Sequence, residues 1–300
     1  MNAKKLIALL LAAVLCLSFA ACGGNDEPET TTEAPVAEST EAVDATEAPS
    51  EVESTEAASE AESTEPASEV ESTEAASEEA TEEATEAAKK PEGTAAIVEY
   101  FNTAVNKVKT DAKSVKQNHV TNYLAKSPTI PGGLITGIYN GLGGDDWLDK
   151  TLAKNGQGAA TYTGADIDAK FPVEGESWAS KLTAADVKSA TCTEKNGVYT
   201  ITIVTKADGK SDSVKHGQGH NPKVHNVVLP GVVNENIPGP AAGLIGTAAM
   251  DYPYGKAVIT VDVATGNVKT AEYDIQWTIN FDKMNVIVPL GTRSSYVVTF

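Results

Sequence analysis

VKSATCTEKNGVYTITIVTK, Val187 to Lys206, is the stretch that decides the fold. From Val187 the pattern alternates with period two, and it resumes after Gly197, so that Tyr199, Ile201 and Ile203 share one face of a strand. Asn196-Gly197 stands between the two arms. Both residue types accept the positive φ of a two-residue turn whose twist matches that of paired strands. The stretch therefore predicts an antiparallel hairpin. Cys192 lies in the first arm and reads as a small strand residue rather than a nucleophile.

The same period runs on towards the C-terminus. KAVITVDVATGNVKTAEYDIQWTIN, 256–280, predicts a second hairpin with its turn at Thr265-Gly266-Asn267. MNVIVPL and SSYVVTF read as further strands. Towards the N-terminus the period becomes helical. In PEGTAAIVEYFNTAVNKVKT, residues Ile97, Phe101, Ala104, Val105 and Val108 form one stripe, with Thr94 as candidate N-cap and Lys107, Lys109 and Lys113 towards the end where cations suit the helix dipole. A short helix is expected around Leu134–Leu142. Another is expected over DDWLDKTLAKNG, with Asp145 or Asp146 as cap and Gly156 as stop. The expected fold class is α+β: N-terminal amphipathic helices packed on a curved antiparallel sheet, in the limit a half-barrel.

Two glycine-rich apolar segments interrupt this plan, PTIPGGLITGIYNGLGG at 128–144 and PGPAAGLIGTAAMDYPYG at 238–255. Neither has the pattern of a strand. They are expected to line the concave side of the sheet, where Ile135, Ile138, Leu244 and Ile245 would contact an apolar small molecule or lipid. Close packing of glycine-rich backbone accounts for the same composition without a ligand.

Charge is divided unevenly along the chain. Residues 22–88 hold 22 of the 42 acidic residues and no Lys or Arg. The remainder, 89–300, is close to charge balance and has no basic cluster, which gives no footprint for nucleic acid. Within 22–88, Glu-Ser-Thr-Glu recurs and ESTEAASE occurs twice, at 53–60 and 71–78, without an apolar face of either period. Such a segment cannot offset the entropy of ordering and is expected to be a disordered acidic stalk, spanning roughly 45 Å as a flexible coil. The 212 residues that follow suffice for a single domain, 89–300.

The first residues, MNAKKLIALLLAAVLCLSFAAC, run from two lysines through a short apolar stretch to small residues before Cys22. This is the layout of a secretory signal peptide, 1–21. The small-small-Cys ending resembles the lipobox of bacterial lipoproteins, with Phe19 where Leu is usual. The resemblance implies lipidation of Cys22 and attachment to the extracytoplasmic face of the cell membrane. Cys192 is then the one thiol left in the domain, so no internal disulfide is expected. IVEYFNTAVNKVK, WASKLTAADVKSAT, NGVYTITI and DVATGNVKTAEY resemble segments of uncharacterised surface lipoproteins of Firmicutes. That resemblance covers most of 94–300, rests on structural motifs, and implies no activity. The layout is also similar to lipid-carrying lipoproteins with an open half-barrel.

HGQGHNPKVH, 216–225, contains three of the four histidines. His216, His220 and His225 match in number the ligands of a catalytic zinc. Gly217, Gly219 and Pro222 exclude the helix that would put the first two on one face, and a polar loop is the simpler expectation. No serine elbow, phosphate loop or metal motif of established spacing occurs, so neither an enzyme nor a cofactor is expected. The expected function is that of a lipid-anchored extracytoplasmic binding protein. Its expected partners are the membrane, through Cys22, and an apolar ligand or lipid. The alternative is a surface interaction or structural lipoprotein that meets a surface protein and takes no small ligand.

Overall fold

The computed structural model describes residues 90–237, 243, 246–283 and 285–300, apart from the side chains of Leu134, Ile135 and Ile138. The expected signal peptide (1–21), Cys22 and the expected stalk (22–88) lie outside the described residues. The elements in chain order are α1 (Gly93–Asp111), β1 (Ser114–Leu124), α2 (Leu134–Gly141), α3 (Gly144–Lys154), β2 (Ala160–Tyr162), α4 (Ala165–Lys170), β3 (Val187–Lys195), β4 (Val198–Thr205), β5 (Asp208–Ser211), α5 (Pro230–Glu235), β6 (Ala248–Asp262), β7 (Val268–Phe281) and β8 (Val286–Thr299). Single turns of 3-10 helix occur at Ala184–Asp186 and Asn221–Lys223.

Eight strands form one antiparallel sheet in the order β2-β1-β8-β7-β6-β4-β3, and β5 pairs with β6 beyond the end of β4. The sheet is not closed, since β2 and β3 are its two edges. Sheet dominates and helices are few, which shifts the expected balance between the two.

The turn of the first hairpin forms as its residues require. Asn196 and Gly197 have φ of 53° and 72°, and Lys195 pairs with Val198 across it. On the long strands the alternation is strict enough to give the sheet two different faces. Along β7, Ala271, Tyr273, Ile275, Trp277, Ile279 and Phe281 are buried on one side, while Glu272, Asp274 and Gln276 point to the other. One face on the core and one towards solvent is the usual economy of antiparallel sheets.

The buried face carries two apolar cores on successive halves of the long strands. In the first, Ile97, Phe101, Val105 and Val108 of α1 meet Tyr199, Ile201, Ile259, Val261 and Tyr273. In the second, Tyr139, Leu148 and Leu152 of α2 and α3 meet Met250, Tyr252, Ile275, Trp277 and Leu290. Each such side chain contributes about 1.5–3 kcal/mol when fully buried. The two cores part between Tyr273 and Ile275, and this seam is bridged by a strap of coil: Val224 belongs to the first core, Val227 and Val228 to the second.

Several local expectations are corrected. β1 was not foreseen, because SVKQNHVTNYL puts Gln117 and Asn122 on its buried side. Residues 248–255 of the second glycine-rich segment belong to β6, with Met250 and Tyr252 in the core. The N-cap of α1 is Glu92, not Thr94, and that of α3 is Gly143, not an aspartate. Asp145 instead accepts hydrogen bonds from Tyr139 and Ser127 in the first turn of α3.

Candidate functional sites

Three polar constellations stand out, and the strands and loops that carry them explain each. The first is on the open face of the sheet. Register places Lys256, Asp274, Arg293 and Thr121 in one row across β6, β7, β8 and β1. Val258, Glu272, Ser295 and His119 form the adjacent row. A β-bulge between Gln117 and His119 turns both Asn118 and His119 outward, and Val120 returns to the buried side. All of these residues except Thr121 line a surface groove of about 290 Å³.

Arg293 is held in place within this groove. Its guanidinium stacks on the Tyr123 ring at 4.3 Å, and its Nε lies 3.3 Å from Asp274. The Tyr123 hydroxyl donates to Asp274 at 2.6 Å, and burial followed by that bond pushes the phenol up to about 12. Asp274 in turn raises the guanidinium pKa further. The groove therefore offers one fixed cation, the ammonium of Lys256, two carboxylates, an imidazole and hydroxyls, all at solvent.

The second constellation lies in the seam beneath the strap. His225 is fully buried, and neither ring nitrogen has a hydrogen-bond partner in the protein. Burial holds its pKa down to about 3, so the ring is neutral. Tyr273 meets it edge to face at 5.8 Å, and the Tyr273 hydroxyl is likewise buried without a partner. Glu174 lines the same cavity, and its carboxyl is pushed up to about 7 by burial, opposed by Lys170 and by a hydrogen bond with Asn226. Lys109 positions this glutamate. Its buried ammonium donates to the carbonyls of Asp168, Val173 and Glu176 and so clamps the loop on both sides of Glu174. Burial lowers the Lys109 pKa to about 8, against the pull of Asp168, Glu174 and Glu176.

The third is the histidine loop itself, which two aspartates organise. Asp208 accepts from the backbone N–H of His220 and of Asn221 and from the Asn221 side chain. Asp186 receives both its oxygens' bonds from Lys223, one from the His220 ring, and two from Thr183. Burial alone would raise the Asp186 pKa, but these bonds, led by Lys223 and His220, hold the carboxyl well below the usual range. Gly219, at φ 69°, lies so close to Asp208 that a Cβ would reach 2.5 Å from its Oδ1.

The loop does not gather its histidines. His216 lies half-buried beside the loop of Glu176, His220 is tied to Asp186, and His225 enters the core. Among the described residues no group of three His, Cys, Asp or Glu side chains could hold a metal ion. The proposed zinc set His216, His220 and His225 is thus not assembled. The reason is that Asn221 and Pro222 start a 3-10 turn that sends His225 inward. Cys192 is half-buried on β3, and burial raises its thiol pKa, as befits a strand residue. Ile135 and Ile138 fall on α2, but their side chains, and Leu244 and Ile245 altogether, lie outside the described residues.

Neither the groove nor the seam was foreseen. Alternation could have indicated which charged residues of β6–β8 face solvent, but their cross-strand neighbours depend on register, which the sequence does not print. No family model, no curated protein and no solved structure matches the chain.

Proposed function

We propose that the chain is a lipid-anchored, extracytoplasmic binding protein that presents the open face of its sheet to a polar partner at the cell surface. In this reading residues 1–21 are the signal, Cys22 carries the lipid, 22–88 are the spacer, and 89–300 are the binding domain. The N-terminal helices pack on a curved, half-barrel-like sheet and leave its other side free. The resemblance to Firmicutes surface lipoproteins supports the same assignment. No catalytic step or cofactor enters it.

The observation that carries the choice of face is the pair of register-locked rows, with Arg293 already fixed by Tyr123 and Asp274. A side chain ordered before binding loses less entropy on contact. On the helix side, the cavity in the seam measures about 20 Å³, against the roughly 300 Å³ or more of small-molecule pockets. The larger pocket of about 570 Å³ between the histidine loop and α5 is an open depression bordered by Glu176, Lys215 and Glu235 rather than an enclosed site. This contrast favours surface interaction, the alternative expectation, over an enclosed apolar ligand.

Two measurements test the reading separately. Cys22→Ser should release the protein from the cell membrane into the medium; retention on the membrane would refute the anchor. Binding of the intact protein to isolated cell-envelope material should fall about tenfold or more in Glu272→Gln combined with Arg293→Ala, equivalent to about 1.4 kcal/mol. Undiminished binding by the folded double variant would refute the open face as the contact surface.

A further inference from the structure

We propose that the seam cavity is a binding site for one neutral, water-sized O–H group, water in the resting protein, which joins His225 to Tyr273. Two polar groups, both more than nine-tenths buried, stand at this cavity without a protein partner: the imidazole of His225 and the hydroxyl of Tyr273. Leaving a buried polar group unpaired costs about 1–3 kcal/mol, so a fold that keeps two of them facing one space is expected to pair them there. The space measures about 20 Å³. A water needs roughly 10–15 Å³ measured this way, together with two to four polar partners. Asn122, Thr292, Ser294 and Glu174 complete a polar lining around it.

The chemistry of the lining selects the guest. A neutral imidazole presents one donor and one acceptor, and a phenol can do either. A guest that donates and accepts at once joins one ring nitrogen to the phenol, and since Nε2 lies against Gly255, Nδ1 is the nitrogen left for it. No Lys or Arg lines the cavity, which disfavours an anion, and no metal-binding group assembles among the described residues. Gly255 makes the arrangement possible on the strand side. A Cβ there would lie 2.5 Å from His225 Nε2 and 2.1 Å from Asn221 Oδ1, so only glycine lets the imidazole and the asparagine settle on β6.

The test is nuclear magnetic resonance on the intact chain with ¹⁵N-labelled histidine, the His225 signals being identified by their loss in His225→Phe. The expected result is a neutral His225 whose ring protons show a cross-peak to a long-lived water, with loss of that cross-peak in Tyr273→Phe. Tyr273→Phe keeps the ring contacts with Phe171 and Tyr296 and should remain folded by circular dichroism. Added methanol separates two sources of the same group: a cross-peak from its methyl to His225 shows that an alcohol hydroxyl enters the site, and persistence of the water signal shows that water holds it. Either supports the proposal. Absence of any guest signal in the folded wild type, or a charged His225 at pH 7, would overturn it.

Discussion

The ring of Tyr123 occupies the space above Gly291 on the neighbouring strand, where a Cβ would come within 2.2 Å of Tyr123 Cζ. The glycine is there for the tyrosine, and the tyrosine is there for Arg293 and Asp274. Gly291→Ala must displace the ring and undo this clamp. The expected cost is about 1–3 kcal/mol, the range for overpacking. It should appear as a lower urea midpoint with an unchanged denaturant slope. Tyr123→Phe keeps the ring and loses one hydrogen bond, so about 1 kcal/mol is expected.

Lys109 replaced by Met should destabilise the domain strongly although the alkyl stem is retained. Three carbonyls, those of Asp168, Val173 and Glu176, lose their donor at once. A loss of about 3 kcal/mol is expected from uncompensated buried polar groups. Chemical denaturation checks it, and faster proteolysis within 168–176 should accompany it.

Glu174 and His225 oppose one another in the dependence of stability on pH. The folded His225 titrates near 3 instead of 6.5, so the unfolded chain takes the proton first. Stability due to this group is present above 6.5 and falls as pH drops towards 3, at most about 1.4 kcal/mol per unit. The folded Glu174 titrates at about 7 instead of 4.5, so the folded chain holds that proton longer. Its contribution is present below 4.5 and is lost as pH rises through 7. Between 4.5 and 6.5 the two slopes cancel. Burial also lowers the folded pKa of His216, so the three groups together predict a net rise of stability with pH below 6.5, measured by urea denaturation at stepped pH. Glu174→Gln should remove the decline towards 7.

Asp186→Ala should free the histidine loop. The substitution removes the bonds from Lys223, His220 and Thr183 together. The expected loss is about 3 kcal/mol, in the range for breaking a buried charged pair. Because the folded carboxyl titrates well below its ordinary 3.8, wild-type stability from this group is present above that pH and is lost on further acidification. The variant should lack that last limb.

The legible parts of the fold were those where one local rule sufficed. Asn196-Gly197 announced its hairpin, and the stripe from Ile97 to Val108 announced α1, because turn chemistry and helical period are written in neighbouring residues. β1 was illegible for the opposite reason. Gln117 and Asn122 are buried there by partners far along the chain, Gln117 against Gly158 and Asn122 against Thr292. Met250 and Tyr252 were hidden in a glycine-rich run that resembles a loop until the pairing of Ala248–Asp251 with Thr278–Phe281 is seen. The candidate sites failed to show for the same cause. Lys256, Asp274 and Arg293 become neighbours only through register, and His225 and Tyr273 only through the strap that crosses the seam.

The order of strands also sets the order of events when the chain is made. β1 comes early, yet its long partner is β8, and Asn122 and Thr292 meet across 170 residues. Until β8 emerges, β1 has the three residues of β2 and a bridge from Val120 to Gln157 to pair with, and the flank of β7 that β8 will occupy is bare. A chain threaded across a membrane from its N-terminus would therefore reach the far side with its first strand waiting for its last. Non-local pairing of this kind slows folding and prolongs the exposure of strand edges. The final strand is thus the piece whose arrival completes the pairing of the sheet.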